Sequence, residues 1–246
     1  MMVSLPVLLM ILTIVFVGQI LHATVGFGDA LLAMPLLTLI VGVRIATPLV
    51  ALVATTVTTL ILLQSWREID VGSAWRLVAA SLPGIPVGVW LVRYAPEAWV
   101  IGGLGVLVLG FALYSLTSPV LPQVQSRIWV IPAGFLAGVL GAAYNTNGPP
   151  VILYGTLRRW TAPQFRATLQ GFFFPSGLLI LASHGLGGLW NREVFTLYAY
   201  SLPVALIAFF VGSRLNQRIP AQRFTRLIHV ILVVLGTILI VEALGS

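Results

Sequence analysis

Ten apolar runs follow one another along this sequence, at about 5–24, 29–42, 45–64, 74–93, 98–116, 128–143, 149–158, 164–184, 196–213 and 224–243. No other feature restricts the fold so severely. Most of the runs approach the roughly 20 residues that a helix needs to cross a bilayer. They show no period-two alternation, which argues against strands. Hydrophobic residues make up 59% of the 246 positions and charged residues 8%, against about 25% charged in a soluble domain. Lipid must therefore be the solvent for most of the surface. The expectation is an all-α integral membrane protein, multi-pass, with about 8–10 helical segments and no soluble domain.

The formal net charge is +7, and all 13 basic residues are Arg. They lie singly or in pairs between apolar runs. That is the pattern of membrane-topology determinants and not of a nucleic-acid-binding face. If all ten segments cross, ten Arg residues fall on one side and Arg44, Arg93 and Arg192 on the other. If the two short segments do not cross, the split is nine against four. Both arrangements put both termini outside. Trp66, Trp75, Trp90, Trp99, Trp129, Trp160 and Trp190 stand at or near segment ends, as an aromatic belt would. Met1 to Ile20 lacks the basic start of a secretory signal and runs on too far.

Cysteine is absent, which removes disulfides, thiolate metal sites and Cys nucleophiles. No His-rich metal cluster, Gly-x-Ser-x-Gly elbow or phosphate loop occurs, so neither an enzyme nor a cofactor or metal is expected.

The order of short motifs repeats. Ser81-Leu82-Pro83 is followed 120 residues later by Ser201-Leu202-Pro203, and with small gaps Ala46-Thr47 matches Ala167-Thr168 and Gly88 matches Gly212. Gly26-Phe27-Gly28 holds the place that Asn145-Thr146-Asn147 holds in the second half. The expected division is a first transmembrane repeat at 1–118, a linker at 119–125 and a second repeat at 126–246. Five crossings per half would invert one repeat against the other. Internal duplication is a frequent plan for secondary transporters.

The second and seventh segments are short for a span, and each follows small and polar residues. Such a pattern predicts a broken or re-entrant helix, tolerated only inside protein or along a cavity. In the second half a helix should end near Ala143 and another begin at Pro149-Pro150, since Pro is favoured in a first turn. Asn145, Thr146, Asn147 and Gly148 lie between. The amides of Asn147 and Gly148, and both Asn side chains, are then donors for an anion, aided by the helix dipole. A plain capped turn is the alternative. In the first half, Gly26 and Gly28 around Phe27 allow a turn and close approach of a ligand. Asp29 reads either as an N-cap or as a proton-carrying carboxylate. His22 can titrate near neutral pH or simply bond a carbonyl. Gln170 can face the same cavity or serve as packing between helices.

Taken together, Gly26–Pro35, Gly138–Pro150, Trp66-Arg-Glu-Ile-Asp70 and Ser81–Gly88 resemble the sulfite exporter TauE/SafE family of membrane anion transporters over nearly the whole chain. Two departures are visible. Asn145-Thr146-Asn147 stands where many members have a Gly-rich run, and Asp29 stands where Gly is frequent. The resemblance implies movement of sulfite, organosulfonates or related small organic anions across the bacterial inner membrane. The expected binding residues are Gly26, Phe27, Gly28, Asn145, Thr146, Asn147, Gly148 and Gln170, with Asp29 and His22 as proton-coupling candidates. The expected partners are the anion, the bilayer and protons, and nothing in the sequence excludes a homodimer. The alternatives are an anion channel and a non-transporting scaffold or assembly protein.

Overall fold

The computed structural model describes residues 4–65, 71–117, 123, 126–215 and 221–245. The Trp66–Asp70 motif, Arg218 and most of the expected linker lie outside the described residues, as do the side chains of Arg127, Arg166, Arg223 and Arg226.

Among the described residues the fold is helical throughout, without strands. The elements are α1 (Leu5–Val25), α2 (Asp29–Val41), α3 (Val43–Ser65), α4 (Val71–Ser81), α5 (Gly84–Tyr94) and α6 (Glu97–Thr117). They continue with α7 (Val130–Tyr144), α8 (Gly148–Leu157), α9 (Ala162–Leu186), α10 (Arg192–Leu215) and α11 (Ala221–Gly245). The ten apolar runs all appear as helices. The fourth is divided, because Ser81-Leu82-Pro83 interrupts it and the two pieces meet at a 46° bend. Pro83 has no N–H to continue the ladder. Among the described residues, five helices (α1, α3, α6, α9 and α10) are long and apolar enough to cross a membrane, and the bent α4–α5 pair, taken as one span, makes a sixth.

Among the described residues α2, α7 and α8 each fall short of a span by length, and α2 and α8 are the two that open on a break. α2 has 13 residues and α8 has 10, or about 20 and 15 Å at 1.5 Å per residue. The hydrocarbon core is about 30 Å thick. Each follows a sharp break in the preceding helix. α1 stops at Gly26 in the left-handed region (φ 93°), with the Gly26 N–H donating to His22 O at 2.7 Å. α7 stops at Asn145, also left-handed (φ 54°), and its end closes through Asn145 N–H to Gly141 O and Thr146 N–H to Leu140 O.

The helices pair closely. α1 packs on α10, α7 packs on α4 and α5, α6 packs on α11, and α3 and α9 pack on each other. Small residues make the closest approaches possible, the usual device where lipid offers no hydrophobic drive for association. A Cβ on Gly138 of α7 would lie 2.1 Å from Ser81 O, and one on Gly88 of α5 would lie 2.3 Å from Val139 O. The buried centre is filled by Leu49, Val53 and Val57 of α3 and by Phe172 and Ile180 of α9. The outward faces stay apolar, with Leu9, Val106, Ile207 and Val234 exposed.

The aromatic belt needs one correction. Trp75, Trp90, Trp99, Trp129 and Trp190 are exposed, and Trp66 lies outside the described residues. Trp160 instead folds back on α8, with its ring centroid 5.5 Å from Tyr154 and 6.4 Å from Phe165. The cause is Arg159, whose left-handed backbone (φ 54°) turns the chain so that Trp160 N–H donates to Gly155 O.

These contacts predict a contrast between two glycines. Gly138→Ala forces a methyl into the Ser81 backbone and should cost about 1–3 kcal/mol. Gly110→Ala meets nothing within 4 Å and should leave stability unchanged or raised. Thermal unfolding in detergent checks this. Equal effects of the two substitutions would contradict the packing described.

Candidate functional site

The two breaks meet. His22, Phe27, Gly28, Asp29, Asn145, Thr146, Asn147 and Gly148 line a single cavity of about 50 Å³, closed on its other sides by α3 and α9. Residues 116 or more positions apart are thus brought to one place where α1 and α7 end. A larger groove of about 500 Å³ between α6, α7 and α8 is lined mainly by apolar groups such as Leu107, Phe111 and Leu140. It offers few polar atoms to a ligand.

Both short helices begin at the cavity. Helix starts leave N–H groups without intrahelical partners. At the second break, Asn147 is the N-cap of α8, and the Asn147 and Gly148 N–H groups have no hydrogen-bond partner among the described residues. Pro149 and Pro150 have no N–H, so these two amides are the donors that the first turn presents. At the first break, Phe27 and Gly28 likewise have free N–H groups. Gly28 is left-handed (φ 98°) and is the N-cap of α2.

That register settles one reading of Asp29. Asp29 is the first residue of α2 and not its cap. Its carboxylate reaches back to α1, accepting from Gln19 Nε2 at 3.2 Å and standing 3.1 Å from His22 Nδ1. All three side chains are buried. His22 Nε2 and Gln19 Oε1 have no hydrogen-bond partner among the described residues. The described lining contains no Arg. An anion here would meet amides and helix dipoles, beside the Asp29 carboxylate.

The two asparagines have different surroundings. Asn145 Nδ2 donates to Thr47 O at 2.7 Å, while Thr47 Oγ1 donates to Ala143 O at 2.9 Å. This reciprocal pair fastens the end of α7 to α3. Asn147 Nδ2 donates to Ser176 Oγ at 3.3 Å, which leaves its second N–H available. Thr146 is buried, and its hydroxyl points toward Leu140 O at 3.4 Å.

Gln170 and Gly26 stand apart from the lining. Gln170 Nε2 donates to Gly26 O at 3.1 Å and so braces the first break from behind. Sequence reasoning missed Thr55 and Thr58 of α3 and Phe173, Gly177 and Ile180 of α9, all in the lining. The paired Thr55-Thr56 and Thr58-Thr59 inside an apolar run were the available signal. It also missed His184, buried in α9, whose Nε2 is 2.8 Å from Ala142 O at the end of α7.

Residues 10–239 match the family described as Sulfite exporter TauE/SafE. The chain is also similar to the Probable inner membrane transporter protein TsaS of Comamonas testosteroni. The two are 28% identical over 168 residues, 66% of this chain and 70% of that protein. No solved structure matches. The chain belongs to the sulfite exporter TauE/SafE family.

The left-handed Asn145 yields a graded expectation. Asn145→Gly keeps the backbone turn but removes the bond to the Thr47 carbonyl, a loss of about 0.5–1.5 kcal/mol. Asn145→Ala loses the same bond and adds about 1–2 kcal/mol of left-handed strain. Melting temperatures in detergent should fall from wild type to Asn145→Gly to Asn145→Ala. An Ala variant as stable as the Gly variant would contradict the role assigned to that backbone.

Proposed function

We propose that this member of the family is a secondary transporter that carries a small sulfur-containing or organic anion, such as sulfite or an organosulfonate, across the bacterial inner membrane with protons as the coupling ion. One observation carries the reading: two helix starts present unpartnered amides to one cavity whose described lining holds no Arg. The family supports an anionic substrate, and the relative's description as a probable inner membrane transporter supports the location.

The charge balance gives the coupling a physical basis. The starts of α2 and α8 turn the positive ends of their dipoles to the cavity, partly offset by the C-terminal ends of α1 and α7 at the same breaks. The Asp29 carboxylate opposes the positive field that is left, and a proton taken up at the Asp29–His22 pair restores it, so that the cavity then favours an anion. Anion and proton enter together because each improves the site for the other.

The helix pairing supports two related halves, 1–118 and 126–246. Gly88 packs against Val139 and Ala142, and Gly212 packs against Ile20 and Ala23. Val139 and Ala142 follow Ile20 and Ala23 by the same 119 positions that separate Asn145 from Gly26. Inverted halves can rock about α3 and α9, so that the cavity opens to each side in turn.

Two variants in liposomes test the proposal. Asn147→Ala removes a donor and should weaken anion binding about ten- to a hundredfold, the range for a hydrogen bond to a charged group. Asp29→Asn keeps the shape and removes the titrating carboxylate. It should retain anion exchange and lose accumulation driven by a pH gradient. Wild-type accumulation by Asp29→Asn would refute the coupling, and unaltered binding by Asn147→Ala would refute the site.

A further inference from the structure

The groove of about 500 Å³ between α6, α7 and α8 is apolar almost throughout. Its course follows from the way α7 and α8 pack on each other either side of the second break. α7 enters the groove at Trp129 and runs to the break, and α8 leaves the break at Pro149 and ends at Leu157. The groove therefore extends from the break to the outer end of α8. With 10 residues, α8 is about 15 Å long, half of a hydrocarbon core of about 30 Å. One leaflet has that thickness, so the recess is as deep as a single layer of acyl chains.

The two ends of the groove differ. Tyr114, near the end of α6, and Trp129, before the start of α7, are amphipathic rings of the kind that sits at headgroup level. Arg158 and Arg159 follow Leu157 directly. The bias of Arg along the chain places both on the expected cytoplasmic side, where the leaflet surface is negative. At the inner end, Pro149 lines the groove and the polar cavity alike. On α6, a Cβ at Gly110 would meet nothing within 4 Å, so the groove stays open on that wall.

A second copy of the chain would fill this recess poorly. A two-fold dimer sets one surface against itself, so groove would face groove and both would stay empty. We propose that the groove binds an acyl chain of an anionic phospholipid from the cytoplasmic leaflet, with the phosphate beside Arg158 and Arg159 and the tail end against Pro149 and Pro150. The lipid then backs the first turn of α8, the turn whose Asn147 and Gly148 amides face the cavity. This inference does not depend on the transport reading.

Phosphatidylglycerol and phosphatidylcholine with identical chains separate headgroup from tail. Purified protein in detergent would be incubated with each lipid. Native mass spectrometry would count the lipid retained per chain, and thermal unfolding would be followed on the same samples. The wild type should prefer phosphatidylglycerol about tenfold, on the order of what two Arg residues contribute at a charged surface. Its melting temperature should rise with phosphatidylglycerol concentration, because a ligand of the folded state stabilises that state. Gly110→Phe fills the groove from α6 and should lose both retention and stabilisation. Leu136→Trp fills it from α7, where Leu136 is exposed, and decides the matter should Gly110→Phe not fold. Arg158→Gln combined with Arg159→Asn, which tolerates the left-handed backbone at 159 (φ 54°), should keep tail binding and lose the headgroup preference. Equal retention of both lipids by the wild type, or retention unchanged by groove filling, would overturn the proposal. Gly110→Cys tests the other occupant in this Cys-free chain. Disulfide-linked dimers formed through it in membranes would put a second copy in the groove and overturn the proposal as well.

Discussion

A helix broken inside a membrane protein must find partners for its backbone amides within the protein, because lipid offers none and each unmet group costs several kcal/mol. Much of this structure is arranged around that debt at two places. The carbonyl ends of α1 and α7 are satisfied by Gly26, Asn145 and Thr146. The amide ends of α2 and α8 are not, and they share one cavity with polar side chains. Free donors are tolerable at depth when water or a ligand can occupy the space before them. The surrounding helices hold the breaks in place: α3 through Thr47 and Asn145, and α9 through Gln170, Ser176 and His184.

The absence of Arg from the described lining has a consequence for function. A fixed cation would bind an anion strongly in every state and release it slowly. Under the proposed coupling, helix dipoles offset by a carboxylate give a site whose charge depends on one proton. Such a site could bind on one side and release on the other without large rearrangement of the donors. The apolar members of the wall, Phe27, Phe173 and Ile180, would strengthen both the attraction and its dependence on that proton in the proposed mechanism.

Much of this was legible in the sequence. The ten runs, the two short helices and the breaks at Gly26–Gly28 and Asn145–Asn147 follow from segment length and from Gly, Asn and Pro chemistry. Asp29 was ambiguous because its role depends on register: a shift of one residue turns a cap into a carboxylate facing another helix. Thr55, Thr58 and Gly177 were hidden because their part in the site comes from the crossing of α3 and α9, which no local pattern encodes. Gln170 pointed to the right region, but it bonds the back of a break and does not line the cavity. Trp160 misled because a left-handed Arg, unlike Gly or Asn, gives no warning of a turn.

The central claim is that an anion sits between the two helix starts. Selenite shares the shape and charge of sulfite and scatters X-rays anomalously at the selenium edge. Crystals of the wild-type protein grown with selenite should show one strong anomalous peak in the cavity, between the amides of Gly28 and of Asn147–Gly148. Crystals of Asn147→Ala should lose it. A peak only at exposed surfaces, or a cavity peak unaffected by that substitution, would contradict the account.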